Sequence, residues 1–163
     1  MATIPFLTAG RLIISIAALS NSISPYIADF NETHVYNPKW PPHARFHNGQ
    51  TMSMGLLLGL TTLYYTWRPL VSALYGTGLY ATKSAARDST FNAAIIGSLY
   101  WITGISAILY PGTKWIDPEF VNSKYDGKLL GMPGQLPVFF MHVVFVWAGY
   151  ALEARQLGAL KAE

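Results

Sequence analysis

The chain contains no cysteine, and few of its side chains are charged. Without cysteine it can form no disulfide and no thiolate metal site, and it has no cysteine nucleophile. Charged residues make up 12% of the 163 residues, whereas soluble domains usually carry about 25%. The eleven Lys and Arg residues are scattered along the chain, so the net charge of +3 does not indicate a nucleic-acid partner.

Hydrophobic residues are abundant instead, at 52% of the chain, and they concentrate in four apolar stretches. The stretches cover residues 12–28, 50–67, 93–110 and 136–152, and none contains Lys, Arg, Asp or Glu. A helix of such a length covers roughly 26 Å, which is just enough for the hydrocarbon core of a bilayer. The sequence therefore predicts an all-α fold. We expect a single membrane domain over residues 1–163, built as a bundle of four transmembrane helices with polar loops on one side.

Four spans place both termini on one side of the membrane and the loops 29–49 and 111–135 on the other. Six of the Lys and Arg residues lie on the terminal side and five on the loop side, which favours cytoplasmic termini. We expect a multi-pass integral membrane protein, in the endoplasmic reticulum membrane if the cell is eukaryotic. The apolar segment 70–80 is short for a span. It either lies at the interface or continues the second helix beyond a kink at Pro69.

Three of the four histidines, His34, His43 and His47, lie close together before the second span. Proline is tolerated in the first turn of a helix, so the Pro-Pro pair at 41–42 predicts a helix that runs from there into the span. His43 and His47 are four residues apart and therefore share one face of that helix. The same face continues toward the membrane with Gln50 and Met54.

The fourth histidine, His142, lies inside the fourth span, roughly 9 Å from its loop-side end. Polar groups in hydrocarbon are costly unless they pair or line a cavity, and they collect here in the loop-side half of the spans. This grouping predicts a pocket that opens toward the loops. The predicted catalytic residues are His43, His47 and His142, together with Asp29 and Asp117 as tuning carboxylates. The predicted substrate-binding residues are Asn21, Gln50, Ser53, Met54, Trp40 and Trp115.

Imidazole titrates near neutral pH, and a buried carboxyl group can stay protonated. Together such groups can protonate an alkene or an epoxide, or move a proton between carbons. We therefore expect a membrane-embedded enzyme with cofactor-free acid–base chemistry, as an isomerase, a cyclase or a related lyase. Its substrate would be small, lipophilic and terpenoid- or sterol-like. The expected partners are that substrate, membrane lipid and, in a homo-oligomer, a second copy of the chain.

Two alternatives remain open at this point. The first is a lipid- or sterol-binding membrane protein without catalysis, or a subunit of a larger membrane complex. The second is a metal-dependent hydrolase or oxidase with His34, His43 and His47 as ligands, because imidazole is a common ligand of zinc and iron. The zinc-protease pattern H-E-x-x-H is absent, since the residue after His43 is an alanine.

Residues 31–47 follow the pattern N-x-T-H-x-x-N-P-x-W-P-P-H-A-R-F-H. With this pattern the chain resembles a group of small four-span integral membrane proteins of fungi and bacteria, a group that brings no established activity. In size and span count it is also similar to the emopamil-binding and sigma-2 receptor superfamily and to small membrane terpene cyclases. Those resemblances imply proton transfer on sterols or prenylated substrates within a helical bundle. Both groups place acidic residues in their spans and this chain does not, so no site residue is carried over.

Overall fold

The computed structural model describes residues 7–76, 82–129 and 131–160. It contains four long helices in chain order. They are α1 (Ala9–Asp29), α2 (Pro42–Leu74), α3 (Lys83–Ser106) and α4 (Gln135–Ala159). Two single turns of 3₁₀-helix, Ala107–Leu109 and Pro118–Phe120, lie in the connection between α3 and α4. Within the described ranges there is no sheet, so the predicted all-α fold of four helices is confirmed.

Local sequence signals fix where the helices begin. The Thr8 hydroxyl accepts the backbone N–H of Arg11 at 3.1 Å and caps α1, and Thr82 caps α3 by accepting from Ala85 at 3.2 Å. The helix α2 begins at Pro42. Proline has no backbone N–H, and the first N–H groups of a helix have no partner within the helix, so no hydrogen bond is lost there. The predicted start of a helix at the Pro-Pro pair is therefore confirmed.

The four helices form a ring in which each helix packs against its two neighbours, and α1 also contacts α3 across the ring. Consecutive helices run antiparallel, so the loops 30–41 and 110–134 meet at one end, here called the loop end. Glycine allows close approach between the helices. A Cβ atom at Gly59 of α2 would lie 2.5 Å from the carbonyl oxygen of Ala18 in α1. Small residues at helix contacts are typical of membrane bundles.

Three helical segments are long and apolar enough to cross a membrane, namely Ala9–Asp29, Lys83–Leu109 and Gln135–Ala159. Large apolar side chains point outward from the bundle, as Ile16 and Val144 do with 60% and 63% exposure. The predicted second span, 50–67, lies within α2, which is not one of the three segments. Four of the buried positions in this stretch are small or polar residues, namely Gly55, Gly59, Thr62 and Thr66. Four spans were expected, and three helical segments have the length and the apolar character that a span requires.

The helix α2 continues without interruption through Pro69 and ends at Leu74. The first part of the segment 70–80 therefore extends the second helix, which was one of the two predicted options. Residues 77–81 of that segment lie outside the described residues.

An ion pair lies inside the bundle at the end opposite the loops. Arg11 of α1 and Glu153 of α4 are both fully buried, with 2.9 Å between the Arg11 Nη2 and Glu153 Oε1 atoms. The Thr8 hydroxyl donates a further hydrogen bond to Glu153. Both residues lie just outside the apolar stretches 12–28 and 136–152, in parts of α1 and α4 that extend beyond those stretches. The spacing of Val146, Gly149 and Glu153 puts the carboxylate on the buried face of α4.

Candidate functional site

A cavity of about 1000 Å³ lies at the loop end, bordered by α1, α3, the start of α4 and the loop 110–134. This volume is at the upper limit of the usual range for small-molecule sites. Aromatic side chains form much of its wall, among them Tyr100, Trp101, Trp115, Tyr125 and Phe139. The predicted pocket at the loop end is therefore present, although not all of the predicted residues line it.

A carboxylate and an imidazole stand side by side in the wall of this cavity. Asp29 is the last residue of α1, and His34 lies in the following loop. The Asp29 Oδ1 and His34 Nε2 atoms are 3.8 Å apart, and both side chains are largely shielded from solvent. Asn48 of α2 donates a 2.9 Å hydrogen bond to Asp29 Oδ2, and the Trp40 ring packs edge-on against His34 at 4.9 Å. These contacts fix both members of the pair.

The hydrogen bonds behind His34 determine which of its nitrogens carries a proton. The Asn31 Nδ2 group donates to the Ala28 carbonyl at 2.7 Å, and Asn31 Oδ1 accepts the Thr33 backbone N–H at 2.8 Å. The Thr33 hydroxyl donates its only hydrogen to the same Asn31 Oδ1 at 2.7 Å. Its oxygen, 2.6 Å from His34 Nδ1, can therefore only accept a hydrogen bond from that nitrogen.

This arrangement leaves the lone pair of neutral His34 on Nε2, facing Asp29. The two atoms are 3.8 Å apart, which is longer than a hydrogen bond, and a proton on either group would give a donor that faces an acceptor. Such a pair can both deliver and receive a proton.

Two contacts join the loops 30–41 and 110–134 near the cavity. Glu119 pairs with Lys39 and also accepts a 3.2 Å hydrogen bond from Asn37, while the Tyr125 hydroxyl donates to Glu32 at 2.7 Å. The hydrogen bond from Lys39 lowers the pKa of Glu119, and the hydrogen bond from Tyr125 lowers the pKa of Glu32. Both carboxylates are therefore ionised at neutral pH, and the loop contacts persist there.

The predicted histidine face of α2 lies outside the cavity. His43 Nε2 and His47 Nε2 are 3.1 Å apart, and His47 Nδ1 lies 3.2 Å from Gln50 Oε1. These three side chains, with Met54 and Ser53, are exposed and do not border the cavity. The predicted i, i+4 spacing thus brings the two imidazoles together, but on a surface that Asp29 does not share.

His142 lies at a third location, between α1 and α4. Its Nδ1 lies 2.8 Å from the Val138 carbonyl oxygen and its Nε2 lies 2.7 Å from the Ser20 hydroxyl. The ring stacks on Trp101 with 3.9 Å between centroids, and it lines a groove of about 170 Å³ between α1 and α4. Trp101 borders the loop-end cavity and His142 does not, so His142 contacts the wall of that cavity only through its stacking on Trp101.

The remaining predicted residues are also dispersed. Trp115 lines the cavity, and Trp40 supports His34 from the side. Asp117 is exposed at the start of a 3₁₀ turn. Asn21 is fully buried in α1, and its side-chain amide makes no hydrogen bond with another described residue.

Across the described ranges, no group of three or more His, Asp or Glu side chains is placed to hold a metal ion. The alternative three-histidine site is corrected accordingly, because His34 lies at the cavity whereas His43 and His47 face outward from α2.

His34 was predicted only as a metal ligand, and its pairing with Asp29 was not predicted. The Asn-x-Thr-His order at 31–34 is the signal that could have revealed a fixed imidazole.

The glycine at position 104 offers a way to test the cavity shape. A Cβ atom there would lie 2.7 Å from the Phe139 ring, and both residues line the cavity. We expect Gly104→Ala to displace this ring and change which lipids copurify with the protein, as measured by mass spectrometry. Gly49 has open space around it, so Gly49→Ala is the matched control. An unchanged lipid profile in Gly104→Ala would show that this ring does not shape a ligand site.

The fold and the cavity define a four-helix bundle in which three helical segments are long and apolar enough to cross a membrane, with a loop-end cavity that contains a carboxylate–imidazole pair. The chain belongs to DUF6640, a family of unknown function, whose family model matches residues 13–163. Neither a curated protein nor a solved structure matches the chain. Membership in a family without an assigned activity agrees with the first resemblance. The similarities to sterol-acting families and terpene cyclases remain predictions.

Proposed function

We propose that the protein is a membrane-embedded enzyme that performs cofactor-free acid–base chemistry on a small lipophilic substrate. The observation that carries this proposal is the Asp29–His34 pair in the wall of the cavity, with the imidazole fixed by Thr33. Terpenoid- or sterol-like substrates fit best, because the walls are rich in aromatic side chains. The bundle would be a multi-pass protein of the endoplasmic reticulum in a eukaryotic cell, with cytoplasmic termini.

The simplest reaction is the migration of a carbon–carbon double bond. The protonated pair adds its proton to one alkene carbon, and the neighbouring carbon becomes electron-deficient. The pair then removes a proton from a carbon beside that centre, the double bond forms in its new position, and the pair regains its proton. The faces of Tyr100, Trp101 and Trp115 would stabilise the developing positive charge. If a second alkene attacks the electron-deficient carbon first, the product is a ring.

Two cavity residues could hold a polar group of the substrate. The Ser24 hydroxyl and the Trp101 indole N–H make no hydrogen bond with other described residues, although both residues line the cavity. Buried donors of this kind are usually paired. A hydroxyl or carbonyl oxygen on the substrate would satisfy them after a small side-chain rotation and would orient the apolar remainder toward Asp29 and His34.

Deuterium exchange tests the proposal without knowledge of the substrate. Purified protein is incubated in D₂O with a lipid extract from the source cells, and mass spectrometry searches for lipophilic compounds that gain deuterium or change retention time. We expect wild type to produce such compounds and Asp29→Asn to produce them at least about tenfold more slowly, because the amide cannot transfer the proton. Asp88→Asn is the control, since Asp88 is an exposed carboxylate on α3. Equal rates in Asp29→Asn and wild type would contradict the proposal.

A non-catalytic lipid-binding protein is the second candidate. The observation in its favour is the pair of contacts that join the loops near the cavity, Lys39 with Glu119 and Tyr125 with Glu32. Joined loops suit the retention of a ligand better than rapid product release. A lipid that copurifies in stoichiometric amount, with no deuterium gained in the exchange experiment, would favour this candidate.

A further inference from the structure

A second site lies on the outer face of the first turns of α2, away from the cavity. His43 and His47 are both exposed there, with their Nε2 atoms 3.1 Å apart. The Phe46 ring lies next to both imidazoles. The two Nε2 atoms share one hydrogen, which places two potential metal ligands side by side on the outer face of the helix.

The hydrogen bonds of His47 place its lone pair on Nε2, where it accepts the hydrogen bond from His43 Nε2. An amide oxygen only accepts hydrogen bonds, so His47 Nδ1 carries the hydrogen that points toward Gln50 Oε1, 3.2 Å away. In the neutral ring, Nε2 is then the unprotonated nitrogen. An oxygen acceptor on the second ring nitrogen is the usual partner of a metal-binding histidine, because it fixes the tautomer and the ring orientation.

The separation of the two nitrogens matches that of two ligands on one metal ion. Two imidazole nitrogens about 2.0–2.1 Å from a shared ion and 3.1 Å apart subtend an angle of about 100° at the ion. This angle lies between the octahedral and the tetrahedral values. Imidazole suits zinc, copper and nickel, whereas magnesium and calcium prefer oxygen.

We propose that His43 and His47 chelate one divalent transition-metal ion through their Nε2 atoms, with water in the remaining coordination positions. The ion replaces the hydrogen between the two nitrogens, and His43 takes the tautomer protonated on Nδ1. The site is distinct from the Asp29–His34 pair and does not depend on the proposed reaction. It differs from the three-histidine site of the sequence analysis because His34 takes no part and because two exposed ligands leave the ion open to solvent.

The test is a calorimetric titration of the detergent-solubilised full chain with Zn²⁺, and in parallel with Mg²⁺. We expect saturable binding of one Zn²⁺ per chain and no binding of Mg²⁺. His43→Ala and His47→Ala should each weaken the Zn²⁺ affinity at least about tenfold, because one ligand of the chelate is lost. Gln50→Leu should weaken it less, since it removes only the acceptor that orients His47.

Both histidines are exposed, so their replacement should leave the fold intact, which a circular dichroism spectrum checks. His34→Ala serves as the comparison for the cavity, and we expect it to retain the wild-type Zn²⁺ affinity. The proposal is overturned if Zn²⁺ fails to bind, if both α2 variants bind it as tightly as wild type, or if His34→Ala abolishes binding.

Discussion

Replacing His34 with alanine should lower the turnover of the proposed reaction by about 10²- to 10⁴-fold, the usual contribution of a positioned acid–base group. The loss follows from the pairing of His34 with Asp29, because alanine removes the imidazole half of the proposed acid–base pair. The measurement is the initial rate of product formation by wild type and variant on the compound identified by deuterium exchange. Asp88→Asn serves again as the control for general effects on the bundle.

Variants of Thr33 distinguish a loss of His34 positioning from general disruption of the loop. The Thr33 oxygen accepts the hydrogen of His34 Nδ1 and thereby keeps the lone pair on Nε2. Thr33→Val has nearly the same shape but no hydroxyl, so the imidazole can adopt the wrong tautomer. We expect kcat to fall by less than in His34→Ala while KM stays near the wild-type value, and Thr33→Ser to retain the wild-type kcat. A fall of kcat in Thr33→Ser equal to that in Thr33→Val would show that the hydroxyl is not the cause.

The helices were predictable because they follow from local rules and from composition. Apolar stretches without charge locate the central part of each helix, and Pro42 marks where α2 begins. The true helix ends were not predictable from apolar character alone, because a helix continues for as long as its polar residues find partners. Glu153 belongs to α4 since Arg11 and Thr8 pair with it across the bundle, and these partners are more than 140 positions away in the chain.

The location of the site was predictable from the sequence, but the residues that form it were not. The polar residues near the loops predicted a cavity at that end, and Asp29 and Trp115 do line it. His43 and His47 were expected there because they share a helix face, yet periodicity does not say which face of α2 turns inward. The structure shows that Asn48 and Met52 occupy the inward face. The position of the His34 ring depends on the hydrogen bonds within residues 28–34, and the periodicity of a helix does not predict these.

The buried ion pair of Arg11 and Glu153 should give the largest effect on stability. Glu153→Gln keeps the shape of the side chain and an acceptor for Thr8, but it takes the Glu153 charge away from the buried Arg11 guanidinium. Breaking a buried pair in this way typically costs about 3–5 kcal/mol. We expect a loss of that size in the free energy of unfolding, measured in mixed micelles by titration with a denaturing detergent and followed by circular dichroism.

Replacing Arg11 instead of Glu153 should lower the free energy of unfolding by a smaller amount. In Arg11→Met the remaining Glu153 carboxyl can be neutralised by a proton, whereas a guanidinium stays charged. The double variant Arg11→Met/Glu153→Leu removes both charges and fills the space with apolar atoms, so it should recover most of the stability lost in Glu153→Gln.

The control for these variants is Arg155→Gln, an exposed position two residues from Glu153, which should change the stability by less than about 0.5 kcal/mol. Equal losses in Glu153→Gln, Arg11→Met and the double variant would mean that packing around these side chains, rather than the loss of the Glu153 charge, determines the effect. The predicted order, with Glu153→Gln the least stable, requires that the two charges interact inside the bundle. The pair would then hold α1 against α4 at the end opposite the loops.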